Sequence, residues 1–266
     1  MALFRRTFAP KQPARAAIVF HHGFGEHGGF YERFGEEMAV RGFAFSAHDA
    51  RGHGASPGQR GHVDSWDEFR DDLALHIERV AAEHPGLPLF LIGHSLGGLV
   101  VLDHAYRRSS GLSGVIALGP AVGAVGVPPW VMALGRMLSN LWPRFALDSR
   151  LERGNLSRDP EARRLFKEDP LYHTQGSARL TVEFEKTRAE LIEHAAEIAL
   201  PVLVLHGGAD RIVFPEASRS FFDRLRVGDR QRKEYPSAFH NLLLETNREE
   251  VVADLTSWID ARIART

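Results

Sequence analysis

Short apolar runs alternate along the chain with longer amphipathic stretches, which is the pattern of a parallel sheet wrapped by helices. The apolar runs predict strands at Ala16–Phe20, Phe43–Ala47, Leu87–Ile92, Val115–Leu118, Val202–Leu205 and Arg232–Tyr235. The amphipathic stretches predict helices at Tyr31–Val40, Trp66–Glu83, Leu96–Arg107, Pro215–Leu225 and Arg248–Arg262. The second of these helices places its apolar residues on one stripe, formed by Phe69, Leu73, Ile77 and Val80.

The alternation stops between about residues 120 and 200. This stretch contains several helical patterns, which proline and glycine interrupt, and it has no clear strand. We interpret it as a helical insertion between two strands of the sheet. The predicted organisation is therefore an α/β core at residues 1–120 and 200–266 and a helical cap at residues 121–199.

The composition is that of a soluble globular protein, with 44% hydrophobic and 25% charged residues among 266. A formal net charge of −1 provides no field that would attract nucleic acid, so nucleic acid is not an expected partner. The absence of cysteine excludes thiolate catalysis and cysteine metal sites. No apolar run reaches transmembrane length, and no apolar leader segment follows Arg5 and Arg6, so a cytoplasmic location is expected.

A nucleophile elbow is predicted at Gly93–Gly97, which reads Gly-His-Ser-Leu-Gly. This segment follows the apolar run Leu87–Ile92 and leads directly into a helical pattern. A G-x-S-x-G motif at a strand-to-helix turn exposes its serine hydroxyl above the edge of the sheet. Alone, the motif could be an ordinary turn in a chain with 25 glycines. The strand and the helix on the correct sides favour Ser95 as a nucleophile.

A serine nucleophile needs a base and an orienting carboxylate, which follow in the order Ser, Asp, His in hydrolases of this architecture. The run Val202–Leu205 leads into a turn that ends at Asp210, and a later run leads into a loop that ends at His240. Both residues come just after predicted strands, at the sheet edge where Ser95 is expected. Asp210 could instead cap a turn or helix, and His240 could be an ordinary loop histidine. The occurrence of Ser95, Asp210 and His240 in this order after predicted strands favours a catalytic triad.

Such a triad also requires backbone N–H groups that stabilise an oxyanion. One donor is expected from Leu96, the residue after the nucleophile at a helix N-terminus. The other is expected from Phe24, which lies between two glycines in the histidine-rich stretch 21–27. A metal site is the alternative for this stretch. We disfavour it because no carboxylate–histidine arrangement at helical spacing accompanies the histidines, and we expect neither a metal nor a cofactor.

Several segments share the sequence of one known family. They are His22–His27, Ala47–Ser56, Gly93–Gly98, Leu156–Pro160, Lys167–Leu171, His206–Asp210 and the loop that ends at His240. Through them the chain resembles the monoglyceride lipase and lysophospholipase group of the α/β-hydrolase superfamily. The resemblance implies the α/β-hydrolase fold, a mostly parallel sheet flanked by helices with a helical cap insertion. It also implies a structural role beside the site for the loop at residues 49–54.

Departures from the family pattern concern the substrate more than the chemistry. Members that bind monoglycerides carry an arginine just before the tyrosine that starts the first helix, where this chain has Phe30. A cap tyrosine of those members is replaced by Phe166. Glu26 is retained, so one polar group could still meet an alcohol headgroup. These three residues are candidate substrate-binding residues, and the two replacements weaken the case for recognition of glycerol.

The cap is expected to contribute an amphipathic helix at Trp130–Trp142. Its apolar face includes three further substrate-binding candidates, Trp130, Leu134 and Met137, and its polar stripe comprises Gly135, Arg136, Ser139 and Asn140. The apolar face either packs against its own domain or belongs to a lid that lines an acyl pocket or touches lipid. The helix is too short to span a bilayer.

These expectations together predict a serine carboxylester hydrolase that cleaves monoacylglycerols or similar single-chain lipid esters through an acyl-enzyme. A lysophospholipase or a broad carboxylesterase for short and medium chains would use the same machinery. A prolyl peptidase is disfavoured because the sequence shows no acidic pocket for a peptide amine. A non-catalytic ligand receptor on a hydrolase fold is the alternative from another class. The expected partners are a small lipid ester and, transiently through the cap, a lipid surface.

Overall fold

The computed structural model describes residues 1–123, 129–149 and 152–264, and of residues 129–132 and 134 the backbone alone. The strands in these residues are β1 (Arg5–Phe8), β2 (Ala16–His21), β3 (Phe43–His48), β4 (Leu89–His94), β5 (Gly114–Leu118), β6 (Ala146–Asp148), β7 (Gln175–Ser177), β8 (Val202–Gly207) and β9 (Arg230–Tyr235). Seven of them form a sheet in the order β1-β3-β2-β4-β5-β8-β9. All neighbours in this sheet are parallel except β1 and β3. The predicted mostly parallel sheet is confirmed.

The described residues form eight α-helices, of which six follow predicted amphipathic stretches and two, at 160–168 and 178–193, were not predicted individually. The eight are α1 (Glu32–Val40), α2 (Asp67–Glu83), α3 (Leu96–Arg107), α4 (Pro129–Leu141), α5 (Pro160–Glu168), α6 (Ala178–Glu193), α7 (Pro215–Arg224) and α8 (Arg248–Ile263). Local sequence sets some of these bounds. Asp159 accepts hydrogen bonds from the first turn of α5, and Ser177 accepts one from the first turn of α6.

The core consists of two apolar layers, one on each face of the sheet. Successive residues of a strand point to opposite faces, so Ile18 of β2 belongs to one layer and its neighbour Val19 to the other. Helices α1 and α8 pack on the Ile18 face, whereas α2, α3 and α7 pack on the Val19 face. Coverage on both faces explains why the central strands are continuous apolar runs in the sequence.

Three strands were not expected from the sequence. Strand β1 is the antiparallel edge of the sheet and contains two arginines, so it does not read as an apolar run. Strands β6 and β7 pair antiparallel within the insertion, and the expectation that the insertion holds no strand is wrong. Each of the two has only three residues, and those of β6 are at least partly exposed. Strands this short show no recognisable hydrophobic alternation in the sequence.

The insertion between β5 and β8 is bonded to two loops of the core. The N–H of His173 donates to the carbonyl of Gly25 at 3.0 Å, and the N–H of Ser177 donates to the carbonyl of Gly61 at 2.8 Å. Helices α4 and α6 of the insertion pack against each other. Among the described helices, none is both long enough and apolar enough to cross a membrane.

Candidate active site

The predicted triad residues all lie at one edge of the sheet. Ser95 follows β4, Asp210 comes three residues after β8, and His240 comes five residues after β9. Strands β4, β8 and β9 are parallel; β5 lies between β4 and β8, and β8 neighbours β9. Their carboxyl ends therefore lie at the same edge of the sheet. The topology therefore brings together three residues that are far apart in the sequence.

Ser95 occupies a strained turn between β4 and α3. It has φ 54° and ψ −116°, and it is the one non-glycine residue with positive φ among the residues that the structure describes. Its N–H donates to the carbonyl of Leu118 at 2.9 Å, and its carbonyl accepts from the N–H of Ala121 at 3.0 Å. At Gly97 a side chain would overlap the carbonyl oxygens of β2 and the loop after it. The turn has the form of a nucleophile elbow.

The three side chains form a continuous hydrogen-bonded series. Nε2 of His240 lies 2.8 Å from Oγ of Ser95, and Nδ1–H of His240 donates to Oδ2 of Asp210 at 2.6 Å. Asp210 and His240 are buried, whereas Ser95 is partly exposed. With Nδ1 protonated toward the carboxylate, Nε2 presents its lone pair to the serine hydroxyl. This is the arrangement in which an imidazole can accept a serine proton.

Burial and charge act in opposite directions on the pKa values of the pair. Burial disfavours the protonated imidazole of His240, but the charge of Asp210 and its hydrogen bond outweigh that effect, so the pKa of His240 lies above its ordinary value. Burial likewise opposes ionisation of Asp210, yet the attraction of His240 and a hydrogen bond from His206 keep its pKa below its ordinary value. The arrangement thus holds Asp210 ionised and favours the imidazolium of His240.

Asp210 is held by four donors. Its Oδ1 accepts from the N–H groups of Ile212 at 2.8 Å and Val213 at 3.0 Å. Its Oδ2 accepts from His240 and from Nε2 of His206 at 3.2 Å. The same Nε2 of His206 lies 2.9 Å from the carbonyl of Val213, so this nitrogen carries the proton. His206 was not predicted as a site residue, although its position four residues before Asp210 is visible in the sequence.

The two predicted oxyanion donors flank Ser95. Leu96 is the first residue of α3, where a helix leaves its N–H groups without intrahelical acceptors. Phe24 belongs to the loop after β2, and a Cβ atom built on Gly23 in that loop would lie 3.2 Å from Cβ of Ser95. Neither N–H, of Phe24 or of Leu96, has a hydrogen-bond acceptor within the described part of the chain. Both N–H groups are therefore without an acceptor among these residues, as an oxyanion donor must be, and their role stays a prediction.

The histidines of the same loop have structural partners. Nδ1 of His22 bonds the carbonyl of Gly23 at 2.7 Å, and its Nε2 accepts from the N–H of Ala50 at 2.9 Å. Burial holds the pKa of His22 well below its ordinary value and that of His21 at about 4, so both are neutral at pH 7. His22 thus anchors the loop at residues 49–54 beside the site.

Glu26 is buried, and its carboxylate is bonded by other groups of the protein. It is 2% exposed, and it accepts from the hydroxyl of Tyr31 at 2.5 Å, from Nδ2 of Asn241 at 2.9 Å and from the N–H of Gly23 at 3.0 Å. Both carboxylate oxygens therefore have partners within the protein, and a contact of Glu26 with an alcohol headgroup stays a prediction. Sequence patterns did not reveal these partners, which lie as far as 215 positions away.

Phe30 and Phe166 pack against each other at the junction of core and insertion. Their ring centroids are 5.1 Å apart in an edge-to-face arrangement, and Tyr172 packs against both rings. All three residues are buried and belong to one hydrophobic layer. The two phenylalanines therefore form an apolar contact where the resemblance led us to look for polar headgroup partners. Tyr172 was not predicted.

Helix α4 presents apolar residues to solvent. Met137 is 52% exposed, Leu141 76% and Trp142 62%, whereas Ser139, which was assigned to the polar stripe, is buried. The carbonyl of Ser139 accepts a hydrogen bond from Arg179 of α6. The side chains of the predicted residues Trp130 and Leu134 lie outside the described residues. Helix α4 therefore packs against α6 on the side of Ser139 and leaves Met137 exposed to solvent.

The fold and the site together define a serine hydrolase of the α/β-hydrolase fold. The family model described as "Serine aminopeptidase, S33" matches residues 12–247. The monoacylglycerol lipase of Mycolicibacterium smegmatis is 34% identical over 258 residues, which cover 95% of this chain and 91% of the relative. The chain belongs to this hydrolase family and, within it, to the group of the monoglyceride lipases.

Solved structures agree with this assignment. The crystal structure of Paleococcus ferrophilus monoacylglycerol lipase superposes with a TM-score of 0.90 at 35% identity and covers all of both chains. A soluble variant of the monoglyceride lipase of Saccharomyces cerevisiae, in complex with a substrate analog, has a TM-score of 0.88 at 26% identity and covers 97% of this chain and 91% of that one. The predicted α/β-hydrolase fold and family are thereby confirmed.

Proposed function

We propose that this protein hydrolyses monoacylglycerols and similar single-chain esters through an acyl-enzyme on Ser95. The observation that carries the proposal is the hydrogen-bonded series from Ser95 through His240 to Asp210, built on a strained elbow. The names of its relatives support the substrate class, because they include monoacylglycerol and monoglyceride lipases that align over nearly the full chain.

In the acylation step, Oγ of Ser95 attacks the ester carbonyl while Nε2 of His240 takes the hydroxyl proton. The carbonyl oxygen gains negative charge and accepts hydrogen bonds from the N–H groups of Phe24 and Leu96. Asp210 holds the imidazole in the correct tautomer and offsets its positive charge. Collapse of the tetrahedral intermediate breaks the bond to the alcohol, which leaves with the proton from His240.

In the deacylation step, water takes the place of the alcohol. His240 accepts a proton from this water as its oxygen attacks the acyl carbonyl, and the same two N–H groups stabilise the second oxyanion. Collapse of the intermediate releases the fatty acid and returns the proton to Oγ of Ser95. Each turnover therefore consumes one ester and one water and yields one alcohol and one acid.

We assign residues 121–199 the role of a cap whose helix α4 contacts the lipid that presents the substrate. Met137 and Leu141 expose apolar surface on this helix, Trp142 does so directly after it, and Arg136 is exposed beside them. Exposed apolar residues with a neighbouring cation are typical of helices that lie in a lipid interface. Such contact would bring a single-chain ester from an aggregate to the site without a spanning segment.

A broader carboxylesterase is the second candidate, and one observation favours it. Phe30 and Phe166 make an apolar contact where polar headgroup partners were sought, so discrimination between alcohols is expected to be weak. The two candidates share their chemistry and differ in headgroup selectivity. Relative kcat/KM values for different headgroups therefore distinguish the two candidate functions, whereas the triad does not.

The test is kcat/KM on a panel matched in acyl chain, with Ser95→Ala as the blank. The panel contains a monoacylglycerol, a lysophosphatidylcholine, a simple alkyl ester and a prolyl anilide, since the family carries an aminopeptidase description. The proposal expects the monoacylglycerol and the alkyl ester to be cleaved far faster than the anilide. Faster cleavage of the anilide would overturn ester hydrolysis, and faster cleavage of the lysophospholipid would replace monoacylglycerol as the substrate class.

A further inference from the structure

A second carboxylate lies beneath the site, outside the triad. Glu26, Tyr31 and Asn241 form a buried cluster in which the hydroxyl of Tyr31 and the Nδ2 group of Asn241 both point to Glu26. Nδ2 of Asn241 also lies 2.9 Å from the hydroxyl of Tyr31. None of the three residues has a role in the steps described above.

The hydrogen bonds of the cluster are those of an ionised carboxylate. Each partner of Glu26 donates: a backbone N–H, a phenol O–H and an amide N–H. Burial, together with the nearby charge of Glu26, holds the pKa of Tyr31 well above its ordinary value, so the phenol keeps its proton. These hydrogen bonds of Glu26 are therefore all ones that a carboxylate oxygen accepts.

The charge of Glu26 lies close to the catalytic imidazole. Asn241 directly follows His240 in the chain, so the cluster is attached to the loop of the base. The ring of His94 lies between the two: its Nε2 is 3.6 Å from Oε1 of Glu26, and its centroid is 4.8 Å from that of His240. Burial lowers the pKa of His94 to about 4, so this ring is neutral and adds no charge of its own.

Several titratable groups surround His240. Asp210 bonds its Nδ1, and His206 stands behind Asp210. His94 faces its ring from the elbow, and Glu26 acts from the loop after β2. Another of them, the buried Glu245, accepts the N–H of Phe239 but is paired with Arg158 at 2.9 Å. Among the described residues, Glu26 is thus, besides Asp210, the carboxylate without a cationic partner whose charge acts on the imidazole of His240, which becomes positive only during catalysis. A charge in this place stabilises the transition state more than the resting enzyme.

The same carboxylate also holds the oxyanion loop. Its Oε2 accepts the N–H of Gly23, the residue before the proposed donor Phe24, and its Oε1 accepts from the residue after the base. One side chain therefore connects the loop that carries an oxyanion donor to the loop that carries the proton acceptor.

We propose that Glu26 is a positioning residue whose negative charge stabilises the imidazolium of His240 and whose hydrogen bonds join the oxyanion loop to the base loop. The proposal rests on the proposed ester hydrolysis for the identity of the base and the nucleophile. It goes beyond that mechanism because it assigns the reaction a second carboxylate that is not hydrogen-bonded to the imidazole.

Glu26→Gln tests the charge with little change in shape. Oδ1 of Asn241 has no hydrogen-bond partner among the described residues, so this amide can turn and accept from the new glutamine. The readout is the pH dependence of Ser95 acylation by a fluorophosphonate and of hydrolysis of a soluble alkyl ester. We expect the maximal rate at the plateau of the pH–rate profile to fall on the order of 10-fold. The apparent pKa of the acid limb, where the rate falls at low pH, should decrease by roughly half a pH unit or more.

The direction of the shift separates a charge effect from a structural one. Without the carboxylate the imidazolium is less stable, so His240 stays neutral to lower pH even as its reaction slows. Glu36→Gln is the matched control, since it makes the same substitution at an exposed site on α1 and should leave both the limb and the plateau unchanged. A lower plateau with an unshifted limb in Glu26→Gln would overturn the electrostatic role, as would an unchanged profile.

A double variant keeps the test decisive if Glu26→Gln does not fold. Glu26→Gln with Asn241→Asp retains one carboxylate and one carboxamide in the cluster. The negative charge then lies on residue 241, which follows His240 in the chain. The acid limb should then stay at the wild-type position or rise, and a downward shift would contradict the proposal. Because labelling of Ser95 needs no monoacylglycerol, a failure of the proposed substrate class leaves this test intact.

Discussion

At the scale of the residue, Ser95 combines the reactive hydroxyl with a backbone conformation that suits glycine. Positive φ at a residue with a side chain costs about 1–3 kcal/mol. We predict that Ser95→Ala folds normally and loses on the order of 10⁴-fold or more in activity.

Ser95→Gly should be equally inactive, but its free energy of unfolding should exceed that of Ser95→Ala by about 1 kcal/mol, because glycine releases the backbone strain. Urea unfolding of the two inactive variants measures this difference, and equal midpoints would contradict the strain.

His240 and Asp210 are expected to act with Ser95 as one unit. His240→Ala should reduce kcat about as much as Ser95→Ala, and the double variant should lose little more. Steady-state kinetics on a soluble ester measures these losses against folded protein of each variant. Losses that multiply in the double variant would place His240 outside the mechanism.

His240 and Asp210 also determine how activity depends on pH. Nε2 of His240 must be unprotonated to accept the serine proton, and the charge of Asp210 outweighs burial so that the pKa of His240 is raised. Activity should therefore fall as pH decreases through this raised pKa, with the acid limb of kcat/KM above that of a free histidine. A limb below the ordinary histidine range would show that a different group controls the rate.

At the scale of the element, the sequence pattern of α4 indicated an apolar face but not which way it points. An amphipathic period identifies a face, and only the packing partner decides whether solvent or protein covers it. Here Ser139 faces α6 and Met137 faces out, the reverse of the expected orientation for these two positions. The strand β1 was missed for a related reason, because an edge strand with arginines carries no apolar run.

The exposed face of α4 leads to a prediction about substrate presentation. Met137→Asp should reduce hydrolysis of a long-chain monoacylglycerol presented in vesicles several-fold, since a charge opposes burial in the lipid interface. Hydrolysis of a soluble acetate ester should be unchanged. Asn140→Asp adds the same charge at an exposed position of the same helix and serves as the control. Equal losses on the soluble and the vesicle substrates would argue that Met137 supports the fold of the cap.

At the scale of the whole molecule, a mostly parallel sheet could be anticipated from the alternation of strands and helices, whereas the buried polar network could not. Ser95, Asp210 and His240 come just after strands, and a parallel sheet gathers such positions at one edge. Glu26 was predicted only as a candidate substrate-binding residue, and Asn241 was not predicted. Their contact spans 215 positions and depends on the path of two loops, which no local pattern encodes.

The buried histidines make stability depend on pH. Burial lowers the pKa of several of them to about 4 or about 3, in the set His21, His76, His94, His104 and His173. Between those values and about 6.5 the unfolded chain binds protons that the folded chain does not, so stability falls as pH decreases through this window. Urea midpoints at pH 7.5 and pH 5 should differ strongly, with several protons taken up on unfolding. A flat profile would contradict neutral buried histidines.

The central claim is that an acyl group passes through Ser95 on its way from a monoacylglycerol to water. Rapid acid quench of the enzyme with a long-chain monoacylglycerol, followed by mass spectrometry of its peptides, tests this claim directly. We predict an adduct of one acyl group on the peptide that contains Ser95, which appears before steady-state release of fatty acid and is absent in Ser95→Ala. Turnover of the monoacylglycerol by Ser95→Ala, or acylation at another residue, would contradict it.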